Sequence, residues 1–186
     1  DGDVTSATLF IFNDQNDFVK KINVDKSTLL QGRNIEIQCD HTKSIKVVAW
    51  AGLSTSSTTV SNLNEANIIT DLQVQLNQND GIATAPGDLF YGQTTVYRNT
   101  TKATSQTLSI QRKASSISLN TNGLVKYLGS TKGNFVYKIK KTKSAFNYNG
   151  ELTGNDVEYA IPASFNQYGE LTSAKTSILP ASQLTI

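Results

Sequence analysis

Cysteine, histidine and methionine are scarce in this sequence, and each shortage limits what the protein can be. Cys39 is the one cysteine, so no intrachain disulfide can form. A structural zinc site takes four ligands, and one histidine with one cysteine would leave the others to carboxylates. Methionine is absent even at position 1, so we expect a longer precursor in which a segment precedes Asp1.

Charge and long hydrophobic runs are also in short supply. Charged residues make up 17% of the chain, and the net charge is +2. No run approaches the ~18 apolar residues of a membrane span, so any membrane attachment is expected before Asp1. Nucleic-acid binding needs a basic patch with stacking aromatics, which the dispersed lysines do not provide. In the one basic cluster, residues 138–143, Lys138 and Lys140 alternate with Tyr137 and Ile139, which predicts the solvated face of a strand.

The rest of the composition favours an all-β protein. Ser, Thr, Asn and Gln are abundant, and helix formers never run far without a β-branched or polar interruption. The Asn/Asp-rich residues 13–17 predict the turn of an opening hairpin. Apolar alternation or apolar runs predict strands over residues 7–14, 18–25, 34–40, 44–52, 71–76, 134–141 and 157–165.

A change of phase in the middle of the chain predicts a domain boundary. Leu108 and Ile110 alternate with polar residues, whereas Ile117 and Leu119 alternate with the opposite parity. Such a change means that the extended chain bulges, or that it leaves one sheet and joins another. We therefore expect an N-terminal β-sandwich domain over residues 1–113 and a C-terminal one over residues 114–186.

Residues suited to catalysis or metal binding are few. Cys39, Asp40 and His41 are adjacent, and Cys39 and His41 could share a strand face as a nucleophile pair. No flanking signature supports that pair, so a core cysteine followed by a turn is favoured. Residues 13–17 resemble a calcium loop only superficially, because the glycine and terminal Glu of such loops are missing. We predict no catalytic, metal or cofactor-binding residue, and no enzymatic activity.

Four aromatic residues raise an alternative function. Trp50, Phe90, Tyr91 and Tyr97 could form a platform for stacking on sugars, which would make the chain a carbohydrate-binding module of the cell surface. Stacking needs exposed rings, and Trp50 lies in the apolar run VVAWAG. Packing of these rings in the core is therefore the favoured interpretation.

The stretch APGDLFYG, residues 85–92, combines a turn with the start of an aromatic strand. Pro86 and Gly87 predict the turn. Asp88 is expected to hydrogen-bond nearby backbone as the chain re-enters the sheet. Leu89 and Tyr91 would then face one way and Phe90 the other, which indicates burial between a sheet and its cover.

The order of these segments resembles a family of Bacteroidetes fimbrial anchor and accessory subunits, the FimB and Mfa2 type. The opening hairpin, SIKVVAWAG, DLFYG and a strand whose Arg precedes SSISL follow one another as in that family, over about residues 7–125. The sequence AWAG followed by DLFYG is the most specific part. The matching residues are Leu9, Phe10, Ile11, Phe12, Asp17, Phe18, Val19, Val47, Val48, Ala49, Trp50, Ala51, Gly52, Asp88, Leu89, Phe90, Tyr91, Gly92, Leu108, Arg112 and Ile117.

The resemblance implies two transthyretin-like β-sandwich domains, the second short or incomplete, since family members extend further at the C-terminus. It implies a structural subunit, an anchor or an accessory tip protein, located at the outer membrane or cell surface in a fimbrium. The partners would be other pilins, bound by β-strand addition at a sheet edge. The outer membrane would be a further partner through an N-terminal lipid, whose cysteine this chain does not contain. No cofactor and no small-molecule substrate are implied.

Overall fold

The structure is a computed structural model, and it describes residues 4–39, 41–181 and 185–186. It is nearly all β, with 46% of the chain in strands and 7% in helices, which confirms the predicted fold class. None of the described helices is long or apolar enough to cross a membrane.

The secondary structure consists of many short strands, a few long ones and two single-turn helices. The helices are α1 (Lys26–Leu30) and α2 (Leu124–Leu128), and Ile69–Asp71 forms a 3₁₀ turn. The strands are β1 (Ser6–Phe12), β2 (Phe18–Asp25), β3 (Ser44–Ala51), β4 (Thr58–Val60), β5 (Val74–Leu76), β6 (Gln78–Asn79), β7 (Ile82–Ala83), β8 (Phe90–Tyr97), β9 (Gln111–Arg112), β10 (Ser115–Ile117), β11 (Asn120–Thr121), β12 (Phe135–Phe146), β13 (Leu152–Phe165), β14 (Leu171–Ser173) and β15 (Thr176–Ile178).

Two large sheets face each other. The first sheet has the order β2-β1-β3-β8-β9, and all of its pairs are antiparallel. The second has the order β11-β14-β13-β12-β5-β4, with β7 pairing to β13 and β6 to β7. A separate pair joins β10 to β15. The predicted strands over residues 7–14, 18–25, 44–52 and 71–76 are therefore present, with shifts of a few residues at their ends.

An inner core fills the space between the two large sheets. Its most fully buried large side chains include Trp50 and Phe12 from the first sheet and Phe146, Tyr159 and Ile139 from the second. Residues from both sides of positions 113 and 114 therefore pack in one cluster, and β5 pairs with β12 in one sheet. A division of the chain into domains at that point stays a prediction.

A second apolar cluster, the outer core, covers the opposite face of the first sheet. It contains Leu9 and Ile11 of β1 and Val47 and Ala49 of β3, which explains why these two strands are apolar almost without interruption. Ile37 and Cys39 pack against this cluster, whereas Ile35, which the alternation predicts on the same face, is exposed. The predicted strand over residues 34–40 is wrong for the part that the structure describes, because residues 34–39 lie in no strand; Asp40 lies outside the described residues.

The change of phase after Ile110 marks a change of sheet. Leu108 and Ile110 pack against the outer core, whereas Ile117 and Leu119 pack against the inner core. Between them the chain leaves β9 in the first sheet and enters β10, which pairs with β15. The change of sheet predicted from the opposite parity of the two apolar pairs is thus confirmed. Only short parts of residues 105–123 lie in strands.

Three hairpin loops are built on one pattern, Asn-x-x-(Asn or Gly)-(Asp or Glu), over residues 13–17, 147–151 and 166–170. In each, the first Asn accepts hydrogen bonds from the backbone N–H of the third and fifth residues and donates its side-chain amide to the acidic fifth residue. The fourth residue has a positive φ, 69° to 75°. Turn chemistry therefore explains residues 13–17, as the sequence predicted.

Candidate functional site at the sheet edges

The stretch from Asp88 to Gly92 forms a corner where β8 begins. Asp88 forms an ion pair with Arg112 of β9. Among the described residues its carboxylate accepts no hydrogen bond from nearby backbone, so the expectation of one is wrong. The guanidinium of Arg112 also lies 5.2 Å from the centre of the Phe90 ring, a favourable cation–π position. Leu89 and Tyr91 pack in the inner core and Phe90 against the outer core, as predicted.

AWAG and DLFYG, the two motifs that are most specific for the family resemblance, lie against each other. A Cβ added at Gly52, which has φ +78°, would lie 1.9 Å from the carbonyl oxygen of Asp88. A Cβ added at Gly92 would lie 2.2 Å from the carbonyl oxygen of Ser109. Both glycines are thus required by close backbone approach, and their role is structural.

The rings proposed as a sugar platform do not form one. Trp50 and Tyr91 are buried with centroids 5.0 Å apart, and Trp50 also stacks on Phe146 at 5.3 Å. The Tyr91 hydroxyl donates to the carbonyl of Tyr148, and burial, reinforced by the charge of Glu151, raises the pKa of Tyr91 to about 12. A platform that includes Trp50 and Tyr91 is therefore wrong.

Cys39 and His41, which are two positions apart, have the arrangement of a half-buried cysteine followed by a turn. Cys39 is half-buried against the outer core. His41 is exposed and has φ +64°. Within the residues that the structure describes, no group of three or more His, Cys, Asp and Glu side chains could hold a metal ion.

The remaining candidate for function is the backbone at the edges of the sheets. The strand β8 pairs with β3 along its whole length but with β9 only at Phe90 and Tyr91. The N–H of Arg98 donates to Lys43 O at 2.9 Å, so even-numbered residues of β8 direct their backbone groups to β3. Odd-numbered residues direct theirs outward, and Leu89 O accordingly accepts from Lys113 N.

The outward backbone groups of β8 are largely unpaired beyond Tyr91. The carbonyl of Tyr97 accepts a hydrogen bond from the Thr104 hydroxyl at 3.2 Å. Among the described residues, the N–H and C=O groups of Gln93 and Thr95 and the N–H of Tyr97 have no partner on this side. These five groups form a free edge, which we call the β8 edge, from Gln93 to Tyr97.

The second sheet has a longer exposed edge along β12, which pairs with β5 only at Ala145 and Phe146. At Lys140 the N–H of β12 donates to Thr185 O at 2.9 Å, so part of this edge is occupied by the chain itself. Lys141, with φ +66°, lies where the register between β12 and β13 shifts. A bulge of this kind twists an edge away from a flat partner.

Ion pairs cover the solvated face of β12, as the alternation at residues 138–143 predicted. Lys138 Nζ lies 2.8 Å and Lys140 Nζ 3.5 Å from carboxylate oxygens of Glu158. The hydrogen bond from Lys138 lowers the pKa of Glu158. This face is therefore charged and internally paired.

Comparison with known proteins decides the family. A family model described as fimbrillin-A associated anchor proteins Mfa1 and Mfa2 matches residues 1–184. The chain belongs to this family. The resemblance found in the order of the motifs is thereby confirmed for nearly the whole chain. The family consists of structural fimbrial anchor subunits.

Relatives of this anchor family include the major fimbrium anchoring subunit FimB of Porphyromonas gingivalis. FimB is 26% identical over 195 residues, which cover 99% of this chain and 62% of FimB. The chain therefore spans less than two thirds of the length of this relative. Homologues of the chain are thus subunits of fimbria at the cell surface.

Solved structures share the fold of this family member. A candidate polysaccharide binding protein from Bacteroides thetaiotaomicron VPI-5482 superposes with a TM-score of 0.75 at 18% identity, covering 97% of this chain and 65% of that one. The fimbrial anchor protein Mfa2 from Porphyromonas gingivalis superposes with a TM-score of 0.69 at 8% identity, covering 99% of this chain and 68% of Mfa2. At these identities the likeness shows the fold alone.

Proposed function

We propose that the chain is part of a structural, non-enzymatic subunit of a cell-surface fimbria, an anchor or an accessory tip protein that binds other fimbrial subunits by β-strand addition. Family membership supports the assignment to fimbriae. The observation that carries the mode of binding is the set of five unpaired backbone groups on the β8 edge. An extended partner segment would pair with such groups, and its alternate side chains would set the register.

The test of this function uses fimbriae sheared from the bacterium that makes the protein and dissociated into subunits. The chain is immobilised and the dissociated subunits are passed over it, with an immobilised disulfide-free β-sandwich of unrelated sequence as control. We expect fimbrial subunits to be retained by the chain and not by the control. If both surfaces retain the same amount, the proposed function is wrong.

We further propose that the full-length protein is held at the outer membrane by a lipid on a cysteine that precedes this segment. FimB of Porphyromonas gingivalis is an anchoring subunit by name, which supports an anchor role. Cells producing the full-length protein are labelled with a palmitate analogue and fractionated. Label on the protein in the outer-membrane fraction is expected. An unlabelled protein that is released in soluble form would exclude this anchor.

A further inference from the structure

We infer that the β8 edge, from Gln93 to Tyr97, is the place where an extended segment of a neighbouring fimbrial subunit adds to the first sheet. This inference rests on the proposed function, because it names the site at which the proposed partner binds. Three properties of the edge support it: the edge is unpaired, it is unprotected, and its side chains suit one kind of segment.

The edge is unpaired because the returning chain moves off it at Gly92. After β8 the chain turns and runs back from Thr104, which still caps the carbonyl of Tyr97. It regains pairing with β8 only at Gln111 and Arg112. Between these points Leu108 packs on the outer core and the Ser109 carbonyl crosses over Gly92, where any side chain would block it. The return segment therefore covers a face of the sheet and leaves its edge open.

The edge is also unprotected in comparison with the others. Natural sheets shield exposed edges with lysines, prolines, bulges or very short strands. The edge strand β2 carries Lys20 and Lys21, and Lys20 Nζ reaches across to Gln38 O at 3.1 Å. The β12 edge has a bulge, several lysines and the contact with Thr185. The outermost strands β4, β9 and β11 are two or three residues long.

By contrast, the sequence of the β8 edge is Gln-Thr-Thr-Val-Tyr, with no charge and no proline. Its register with β3 is continuous, so it has no bulge. Two threonines, a valine and a tyrosine favour strand structure. An edge with these properties is suited to accept a strand, and a protein that did not use it would be exposed to unwanted association.

The occupant is an extended segment that is uncharged where it pairs and acidic at one end. The Tyr97 ring is 71% exposed and would contact an apolar side chain of the added strand. At the end of β8, just after Tyr97 in the sequence, Arg98 lines a hollow of about 320 Å³ together with Lys43, His41 and threonines. Within the described residues, Lys43 and Arg98 form no ion pair. A carboxylate that follows the paired segment at this end would lie beside two cations.

Photo-crosslinking tests the position of this contact. Tyr97 is replaced by benzoylphenylalanine, and the same replacement at Tyr168 is the matched control, because Tyr168 is 78% exposed but lies in the β13–β14 loop. Each variant is irradiated with dissociated fimbrial subunits. We expect a cross-linked product with a fimbrial subunit from position 97 and not from position 168. Cross-linking from position 168 alone, or from position 97 only to a second copy of this chain, would overturn the inference.

A blocked edge provides the second test. Thr95→Pro removes an outward N–H in the middle of the β8 edge, and Val136→Pro removes the corresponding outward N–H on the β12 edge. With dissociated fimbrial subunits we expect ~10-fold or greater weakening of binding by Thr95→Pro and little change by Val136→Pro.

The outcomes separate the two proposals. Unchanged binding by a folded Thr95→Pro variant sinks the β8 edge but leaves the proposed function standing. If the unaltered chain binds no fimbrial subunit, the proposed function fails and the inference fails with it. If Thr95→Pro does not fold, as judged by its thermal transition, the cross-linking result at Tyr97 decides.

Discussion

Gly52 and Gly92, the glycines of AWAG and DLFYG, each lie against a carbonyl oxygen of another segment. Gly52 allows the turn at Asp88 to approach β3, and Gly92 allows the return segment to cross β8. The sequence suggested that this stretch was structural. It could not indicate the contact, because the two glycines are far from their partners along the chain.

Gly52→Ala is expected to be strongly destabilising, and Gly81 offers a matched control. Both glycines have φ +78°, but a Cβ at Gly81 would meet nothing within 4 Å. Gly81→Ala should lower the free energy of unfolding by ~1–2 kcal/mol, because the alanine has to adopt the left-handed conformation. Gly52→Ala should lower it by ~2 kcal/mol more, because the added Cβ also meets the Asp88 backbone. Urea unfolding measures both free energies. Equal losses would show that the close contact at Asp88 contributes nothing.

Buried tyrosines give the protein a sensitivity to alkaline pH. Burial raises the pKa of Tyr91 and of Tyr159 to about 12 from an ordinary value of 10.0. Because the pKa of each tyrosine is higher in the folded state than in the unfolded state, its protonated form favours folding. This contribution to the free energy of unfolding is fully present below pH 10 and is lost as the pH rises towards 12.

Absorbance titration of the tyrosines checks this expectation. We expect a late titration step near pH 12 that is reduced in each of the variants Tyr91→Phe and Tyr159→Phe. The unaltered protein is the control. If Tyr91→Phe and Tyr159→Phe leave the late step as large as in the unaltered protein, the two tyrosines are not the groups responsible.

At the scale of elements, alternation predicted the strands and their faces better than their pairing. Leu89, Phe90 and Tyr91 lie on the faces that alternation assigned. Residues 34–39 alternate equally well but lie in no strand: Ile37 and Cys39 pack against the outer core, and Ile35 is exposed. Alternation indicates which face of an extended segment turns towards a core. Whether a backbone edge is available to pair is decided by distant segments, so pairing could not be predicted from the local pattern.

The repeated Asn loops are a local device whose contribution to stability can be measured. Asn147 accepts from the N–H groups of Asn149 and Glu151 and donates to the Glu151 carboxylate. We expect Asn147→Ala to lower the free energy of unfolding by ~1 kcal/mol through the loss of these hydrogen bonds.

Asn149→Ala in the same loop is the control, because the Asn149 side chain makes no hydrogen bond with the described residues. Its effect should stay within ~0.5 kcal/mol. Thermal unfolding of the two variants gives the comparison. A loss by Asn149→Ala as large as that by Asn147→Ala would mean that the loop pattern is not the stabilising feature.

At the scale of the whole molecule, the fold class and the family could be inferred from the order of the motifs. The candidate site could not. The run Gln-Thr-Thr-Val-Tyr is polar and carries no motif. It became a candidate site because, among the described residues, no strand pairs with its outer edge. The sugar platform failed for a related reason: Trp50 and Tyr91 face the second sheet, and residues of β12 and the loop after it cover them. Burial between sheets depends on segments that are distant in the sequence.

Amide hydrogen exchange resolved by NMR reports at each residue whether a fimbrial subunit adds a strand to the β8 edge. In the chain alone, the amides of Gln93, Thr95 and Tyr97 should exchange quickly, whereas those of Thr94 and Val96, which pair with β3, should exchange slowly. With saturating dissociated fimbrial subunits, the three odd-numbered amides should slow by ~10-fold or more and the even-numbered ones should change little. Binding that leaves the amides of Gln93, Thr95 and Tyr97 unprotected would exclude strand addition at the β8 edge.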